Sequence, residues 1–296
     1  MIHRNNLMDS YHEFLEDKIP GSKLFNIALS YENKGLYEEA MRVYSDSMES
    51  GNTYAAVNLG VLMSSNGRMN SMTAAGLFLW AAGKGHSSGY VNLAQMYLKN
   101  ILPGGNERAA EYYLKAAEMG NGRAQCSYAI MCKEGKGVKK SMSEAIIWFQ
   151  KSAENGYFRA QAILGDMYRT GEGVYKDIDT AVGWYLKASD NGSPVAAYNL
   201  ATMYLEGKEV ERNEEFGRRM LNRAVDLGYS KAAFEAGMIA EGENDYVTAV
   251  ALYSEGARKG EPNCIKKLYD FGYYDRIEKI TSVSLDTDYG QNRSVF

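Results

Sequence analysis

The apolar positions of this chain fall in pairs four residues apart, and the pairs recur at a nearly fixed long interval. One set reads Ala40/Tyr44, Ala74/Phe78, Ala109/Tyr113, Ala145/Phe149, Ala181/Tyr185, Gly217/Leu221 and Ala249/Tyr253, a small residue followed by an aromatic in six of seven cases. A second set lies ahead of each of these: Ile27-Ala28, Leu59-Gly60, Leu93-Ala94, Tyr128-Ala129, Leu164-Gly165, Leu200-Ala201 and Ala236-Gly237. Residues i and i+4 share one helix face. The pattern therefore predicts helix A, a turn and helix B, seven times over. The small residues mark where two helices approach too closely for a larger side chain.

Eleven residues after each small residue of helix B stands a glycine. These are Gly51, Gly85, Gly120, Gly156, Gly192, Gly228 and Gly260, at steps of 34, 35, 36, 36, 36 and 32 residues. Glycine suits a helix stop because the residue just past the end often takes positive φ. A period of this size means stacked helical pairs. The A–B turn reads Gly135-Lys136-Gly137-Val138 and Gly171-Glu172-Gly173-Val174 in repeats four and five, and repeat six keeps Gly207 and Val210. Asp177 precedes the next helix as a predicted N-cap. The two small residues of a pair are 16 apart in these repeats, as from Ala129 to Ala145, but 12 apart in the first and seventh, as from Ala28 to Ala40.

Leu164, Gly165, Tyr168, Gly171, Gly173, Val174, Asp177, Ala181, Trp184, Tyr185, Lys187, Ala188 and Gly192 together resemble the Sel-one-like repeat, a relative of the tetratricopeptide repeat. The resemblance extends roughly over residues 22 to 272. The end repeats, with their shorter spacing, look more like plain tetratricopeptide repeats. The turns of repeats two and three, Asn66-Gly67-Arg68-Met69 and Leu102-Pro103-Gly104-Gly105, lack the Gly-x-Gly-Val pattern. The resemblance implies an all-α, right-handed α-solenoid of about seven helix-turn-helix repeats with terminal capping helices, and the behaviour of an adaptor or scaffold.

The expected organisation is an N-terminal capping helix over 1–20, the repeat array over 21–261, C-terminal capping helices over 262–281 and a flexible polar tail over 282–296. The first helix rests on the spacing of Tyr11, Phe14, Leu15 and Ile19, and the last on Ile265, Leu268 and Tyr269 turned inward. Arrays of this kind need such ends to close their open faces.

Composition narrows the function. Residues 1–20 hold no uninterrupted apolar core, so no secretion signal is expected, and no apolar run of about 18 residues predicts a membrane span. Cys126, Cys132 and Cys264 are odd in number and do not recur by repeat, which reads as reduced buried thiols in a cytoplasmic protein. The three histidines, His3, His12 and His86, form no metal-ligand spacing. No metal site, cofactor or catalytic set is expected, and the Gly-x-Gly turns lack the Lys-Ser/Thr ending of a phosphate loop. A net charge of −4 argues against general nucleic-acid binding. The charge is uneven: residues 97–140 carry eight Lys/Arg against four Asp/Glu, and residues 205–245 carry six against ten.

The family resemblance places the A helices on the concave face. Their inward positions are Ser88, Val91, Gln95 and Lys99 in repeat three, and Arg123, Cys126, Ile130 and Lys133 in repeat four. Repeat five contributes Arg159, Ala162, Asp166, Arg169 and Thr170, repeat six Tyr198, Thr202, Leu205 and Glu206, and repeat seven Lys231, Phe234, Met238 and Glu241. The residue before the seam leucine is Asn26, Asn58, Asn92 and Asn199 in four repeats. A carboxamide can pair with the backbone of an extended peptide. It can equally bond the neighbouring repeat and fix the stacking angle. The expected function is a non-catalytic adaptor that binds a protein or extended peptide through Asn58, Asn92, Gln95, Lys99, Arg123, Lys133, Arg159, Asp166, Arg169, Tyr198, Asn199 and Lys231. One alternative is a bacterial immunity or inhibitor protein that neutralises a toxin by direct binding. Another is a hydrolase using Asp166 beside Arg169. Nothing in the pattern fixes an oligomeric state.

Overall fold

In the computed structural model, residues 19–65 and 71–273 are described; they form fifteen α-helices and no strand. The chain divides into two compact units, Met1–Ser152 and Ala153–Phe296. The first contains α1 (Ser22–Asn33), α2 (Tyr37–Glu49), α3 (Thr53–Ser65), α4 (Ser71–Gly83), α5 (Ser88–Leu98), α6 (Gly105–Glu118), α7 (Gly122–Glu134) and nearly all of α8 (Met142–Glu154). The second contains α9 (Phe158–Thr170), α10 (Ile178–Asp190), α11 (Pro194–Glu206), α12 (Glu214–Asp226), α13 (Ser230–Gly242), α14 (Tyr246–Arg258) and α15 (Pro262–Asp270). These are the seven A–B pairs and a lone final A helix.

The apolar columns make the core. Tyr44, Phe78, Phe149, Tyr185, Leu221 and Tyr253 are all fully buried. The small residues of the A helices lie against these rings. A Cβ added at Gly165 would stand 2.6 Å from the Tyr185 ring, and one at Gly237 would stand 2.5 Å from that of Tyr253. Close approach, not backbone freedom, accounts for those glycines.

The ladder glycines have the other reason. Gly120 follows α6 with φ +85°. Its N–H bonds to the Ala117 carbonyl (3.0 Å) and the next N–H, from Asn121, bonds to Ala116 (3.1 Å). That is the Schellman closure, which satisfies carbonyls the helix end leaves open. The Asn121 side chain then caps the next helix by accepting from the Ala124 N–H at 2.9 Å. Asp177 caps α10 as expected, accepting from Thr180. The long A–B turns of repeats four to six close on one recurring backbone bond: Ser141 to Cys132 (2.8 Å), Asp177 to Tyr168 (2.8 Å) and Asn213 to Tyr204 (3.0 Å).

One terminal expectation needs correction. In α15 the inward pair is Cys264 and Leu268, both at 0% exposure, while Tyr269 is 47% exposed. Tyr269 is one residue round from Leu268, about 100° away on a helix, and so leaves the seam. Apart from 19 and 20, the expected capping helix over 1–20 lies outside the described residues. So do the turn at 66–70, residues 274–281 and the tail over 282–296.

Candidate partner-binding face

The buried tyrosines are long enough to send their hydroxyls out of the core onto the A-helix side of their own repeat. Tyr44 donates to Glu32 Oε2 at 2.6 Å, Tyr185 to Asp166 Oδ1 at 2.5 Å and Tyr253 to Glu241 Oε2 at 2.7 Å. Burial, followed by the carboxylate beside each, holds all three phenols well above their ordinary pKa, so they remain donors at any ordinary pH. A positive or amide group then completes each pair. Arg169 Nε donates to Tyr185 Oη at 3.2 Å, and Lys267 Nζ bonds Glu241 at 2.8 and 3.0 Å. Asn58 Nδ2 donates to Tyr44 Oη at 3.1 Å.

Two asparagines of the column bond the repeat before them. Asn58 on α3 reaches back to Tyr44 of the preceding repeat, and Asn199 on α11 reaches back to Asp166 at a long 3.5 Å. The same position, one before the seam residue, is Glu235 in repeat seven and Lys267 in α15. Glu235 accepts from Tyr198 of the repeat before it, and Lys267 bonds Glu241 of the repeat before it. At these four positions the column makes an inter-repeat contact, and the residue type differs with the partner. Asn92 follows the repeat that carries Phe78, which offers no hydroxyl.

The other expected residues separate into groups. Asp166, Arg169, Tyr198 and Asn199 come together in the second unit. Arg169, Tyr198 and Asn199, with Thr202, Met203, Glu206, Lys208 and Glu209, line a cleft of about 420 Å³. Arg159 and Lys231 are exposed in the first turns of α9 and α13 and do not line it. Ten residues of helix rise separate Arg159 from Arg169, about 15 Å. In the first unit, Asn92 and Gln95 are half-buried on α5 and Lys99 is exposed just past its end, while Arg123 and Lys133 are half-buried at opposite ends of α7. Part of the inward register is core: Val91, Cys126 and Ala162 are buried. An A helix is flanked on both sides by packed helices, so more of its circumference is covered than the pattern allowed.

Sequence reasoning missed Tyr185, Lys208, Glu209 and Glu235. By spacing alone Tyr185 reads as a core ring. A hydroxyl on a column that elsewhere holds phenylalanine was the available signal. Glu209 meets Arg169 Nη1 at 3.6 Å and Lys176 Nζ at 4.0 Å, joining the A–B turns of repeats five and six. Among the described residues no group of His, Cys, Asp and Glu is arranged to hold a metal ion, and no helix is long and apolar enough to cross a membrane.

Comparison with solved structures gives the same architecture. A protective antigen of uropathogenic Escherichia coli, described as displaying an SLR fold, superposes with a TM-score of 0.63 at 23% identity over 94% of this chain, which spans 64% of that one. A Sel1 repeat protein from Oxalobacter formigenes gives a TM-score of 0.64 at 23% identity, covering 78% of this chain and 99% of its own. An immunity protein from Pseudomonas aeruginosa gives 0.50 at 17% identity, covering 68% of this chain and 81% of its own. No curated protein matches by sequence. The Sel1 repeat itself matches residues 87–121, 122–157, 159–193, 194–229 and 230–261. The match includes the seventh repeat, whose short spacing suggested a plain tetratricopeptide unit, and the third, whose turn departs from the family pattern. It begins after α4. With five repeats spanning more than half of its length, the chain belongs to the Sel1 repeat family.

Proposed function

We propose that this chain is a non-catalytic interaction module that holds a protein or extended peptide on the A-helix side of its repeats. The observation that carries this reading is the cleft of about 420 Å³ on α11 and its following turn. It offers donors (Arg169, Asn199, Lys208), acceptors (Glu206, Glu209) and an aromatic wall (Tyr198) in one place. Mixed polar groups around an aromatic anchor suit a peptide backbone and its side chains. Asp166 Oδ1 already accepts from Tyr185 and Asn199, and Asp166 does not line the cleft, which weighs against hydrolysis. None of the three cysteines is in a disulfide and all are buried, in keeping with a reducing, cytoplasmic setting.

The test is a partner recovered by co-purification and then offered to Thr202→Trp. Thr202 bonds only within its own helix, so the indole fills the cleft without disturbing the tyrosine pairs. Loss of the partner with an unchanged melting temperature supports the reading; full retention overturns it.

A second reading, neutralisation of a toxic partner by direct binding, draws on the uneven charge, which would speed association with an oppositely charged protein. It is checked by co-expression: a toxic domain that binds the chain yet kills cells equally in its presence sinks this reading.

A further inference from the structure

A second cleft, of about 640 Å³, lies in the second unit where the start of α10 meets the A–B turn of repeat six. Its floor is apolar and half-buried: Ile178, Val182, Tyr204 and Val210. Its polar wall holds Asp179, Glu209, Glu211, Arg212 and Asn213. Arg212 is engaged by Glu214 at 3.1 Å, and the Asn213 side chain caps α12 through the Phe216 N–H. Glu209 meets Arg169 and Lys176 only at 3.6 and 4.0 Å. The carboxylates of Asp179 and Glu211 have no hydrogen bond or ion pair among the described residues.

Gly183 adds an independent observation. It stands one turn after Asp179 on the same face of α10. A Cβ there would meet nothing within 4 Å. Unlike Gly165, this glycine is not needed to pack its own protein, and it weakens the helix relative to alanine. A bare backbone beside an open cleft permits close approach of another chain.

We propose that this edge cleft receives an arginine or lysine side chain from an extended segment of a partner protein, with an apolar neighbour of that residue on the floor. The cation meets the two unpaired carboxylates and the face of Tyr204. The surrounding stretch 205–245, with ten acidic against six basic residues, steers a basic segment in and an acidic one away. The inference stands apart from the A-helix reading; the two clefts share only Glu209.

The probe is a peptide, Ser-Leu-Leu-Arg-Leu-Gly-Ser, titrated into the full chain by calorimetry and by NMR. Two control peptides replace arginine with citrulline or glutamate. The arginine peptide is expected to bind about tenfold more tightly than the citrulline peptide, the scale of a charged hydrogen-bonded pair, and to shift the resonances of Val182, Gly183 and Tyr204. The double variant Asp179→Asn, Glu211→Gln is expected to erase that tenfold. Gly183→Leu is expected to block binding, while Gly183→Ala raises the melting temperature and shows that the helix tolerates a side chain there. Equal binding of arginine and citrulline peptides, or none below about 1 mM, overturns the proposal. So does undiminished binding in both the double variant and Gly183→Leu, or a change of sedimentation coefficient in these variants that identifies the occupant as a second copy. Thr202→Trp separates the two readings. Arginine-peptide binding that survives it supports the edge cleft even if the A-helix reading fails. Binding lost there but kept in the edge variants overturns the edge cleft.

Discussion

Tyr44, Tyr185 and Tyr253 share one buried ring position and differ in what completes the hydroxyl–carboxylate pair: an amide or an arginine donates to the hydroxyl of Tyr44 or Tyr185, and a lysine bonds the carboxylate that accepts from Tyr253. Phe78 and Phe149 fill the same column with no hydroxyl and are equally buried, so the ring alone satisfies the packing. Tyr185→Phe should therefore leave the core intact and cost about 1.5 kcal/mol, the low end for a hydrogen bond to a charged group whose acceptor still reaches water; urea denaturation measures it. Glu241 supplies a pH-dependent counterpart. Its hydrogen bond from Lys267, then that from Tyr253, holds its carboxyl below the usual carboxylate range. Above the unfolded carboxyl's range both states are ionised and the stabilisation is fully present. As pH falls, the unfolded chain takes the proton first, and the contribution is lost by the time the folded carboxyl protonates. Acid titration of stability should thus be shallower below about pH 4.5 in Glu241→Gln than in the wild type. Identical slopes would show that the pair does not couple to folding.

At the scale of the helix, three glycines that look alike in sequence have three different reasons. Gly120 carries φ +85° with open space around its Cβ position, so Gly120→Ala should cost about 1–2 kcal/mol through backbone strain alone. Gly165→Ala should cost about 1–3 kcal/mol by overpacking the Tyr185 ring. Gly183→Ala should instead stabilise by about 1 kcal/mol. Thermal melts of the three variants check the order. The helix pairs, the seam columns and the ladder were legible because they obey local periods: 3.6 residues within a helix and about 35 between repeats. The site was legible only in part. The period puts Asn199 and Arg169 on helix faces that line one cleft, but the destination of a tyrosine hydroxyl depends on how two repeats stack. That is why the sequence alone leaves Asn58 open to both a peptide-binding and a stacking role. The inward register also picks the buried Val91, Cys126 and Ala162, because one helix's period does not report how many neighbours cover it.

Across the second unit, packing contacts run from each helix to the next in sequence, and from each A helix to the A helix of the adjoining repeat, as between α9 and α11 or α13 and α15. Among the described residues no extensive packing ties one end of the unit to the other, so stability should be close to a sum of neighbour terms. Leu268 tests this. It is fully buried in a cluster with Val250, Tyr253, Ala257 and Cys264 of α14 and α15, whose far edge is Ala240 of α13. Leu268→Ala should cost about 2–5 kcal/mol at that site, yet the loss should stay local. Amide exchange should quicken through α14 and α15 while α9 and α10 keep their protection. Both clefts are built from residues between Arg169 and Asn213, so a ligand held there should bind the variant within about twofold of wild type. Exchange that rises equally from α9 to α15, with affinity lost in proportion, would mean that the unit opens as one block and that its binding surface depends on its last helix.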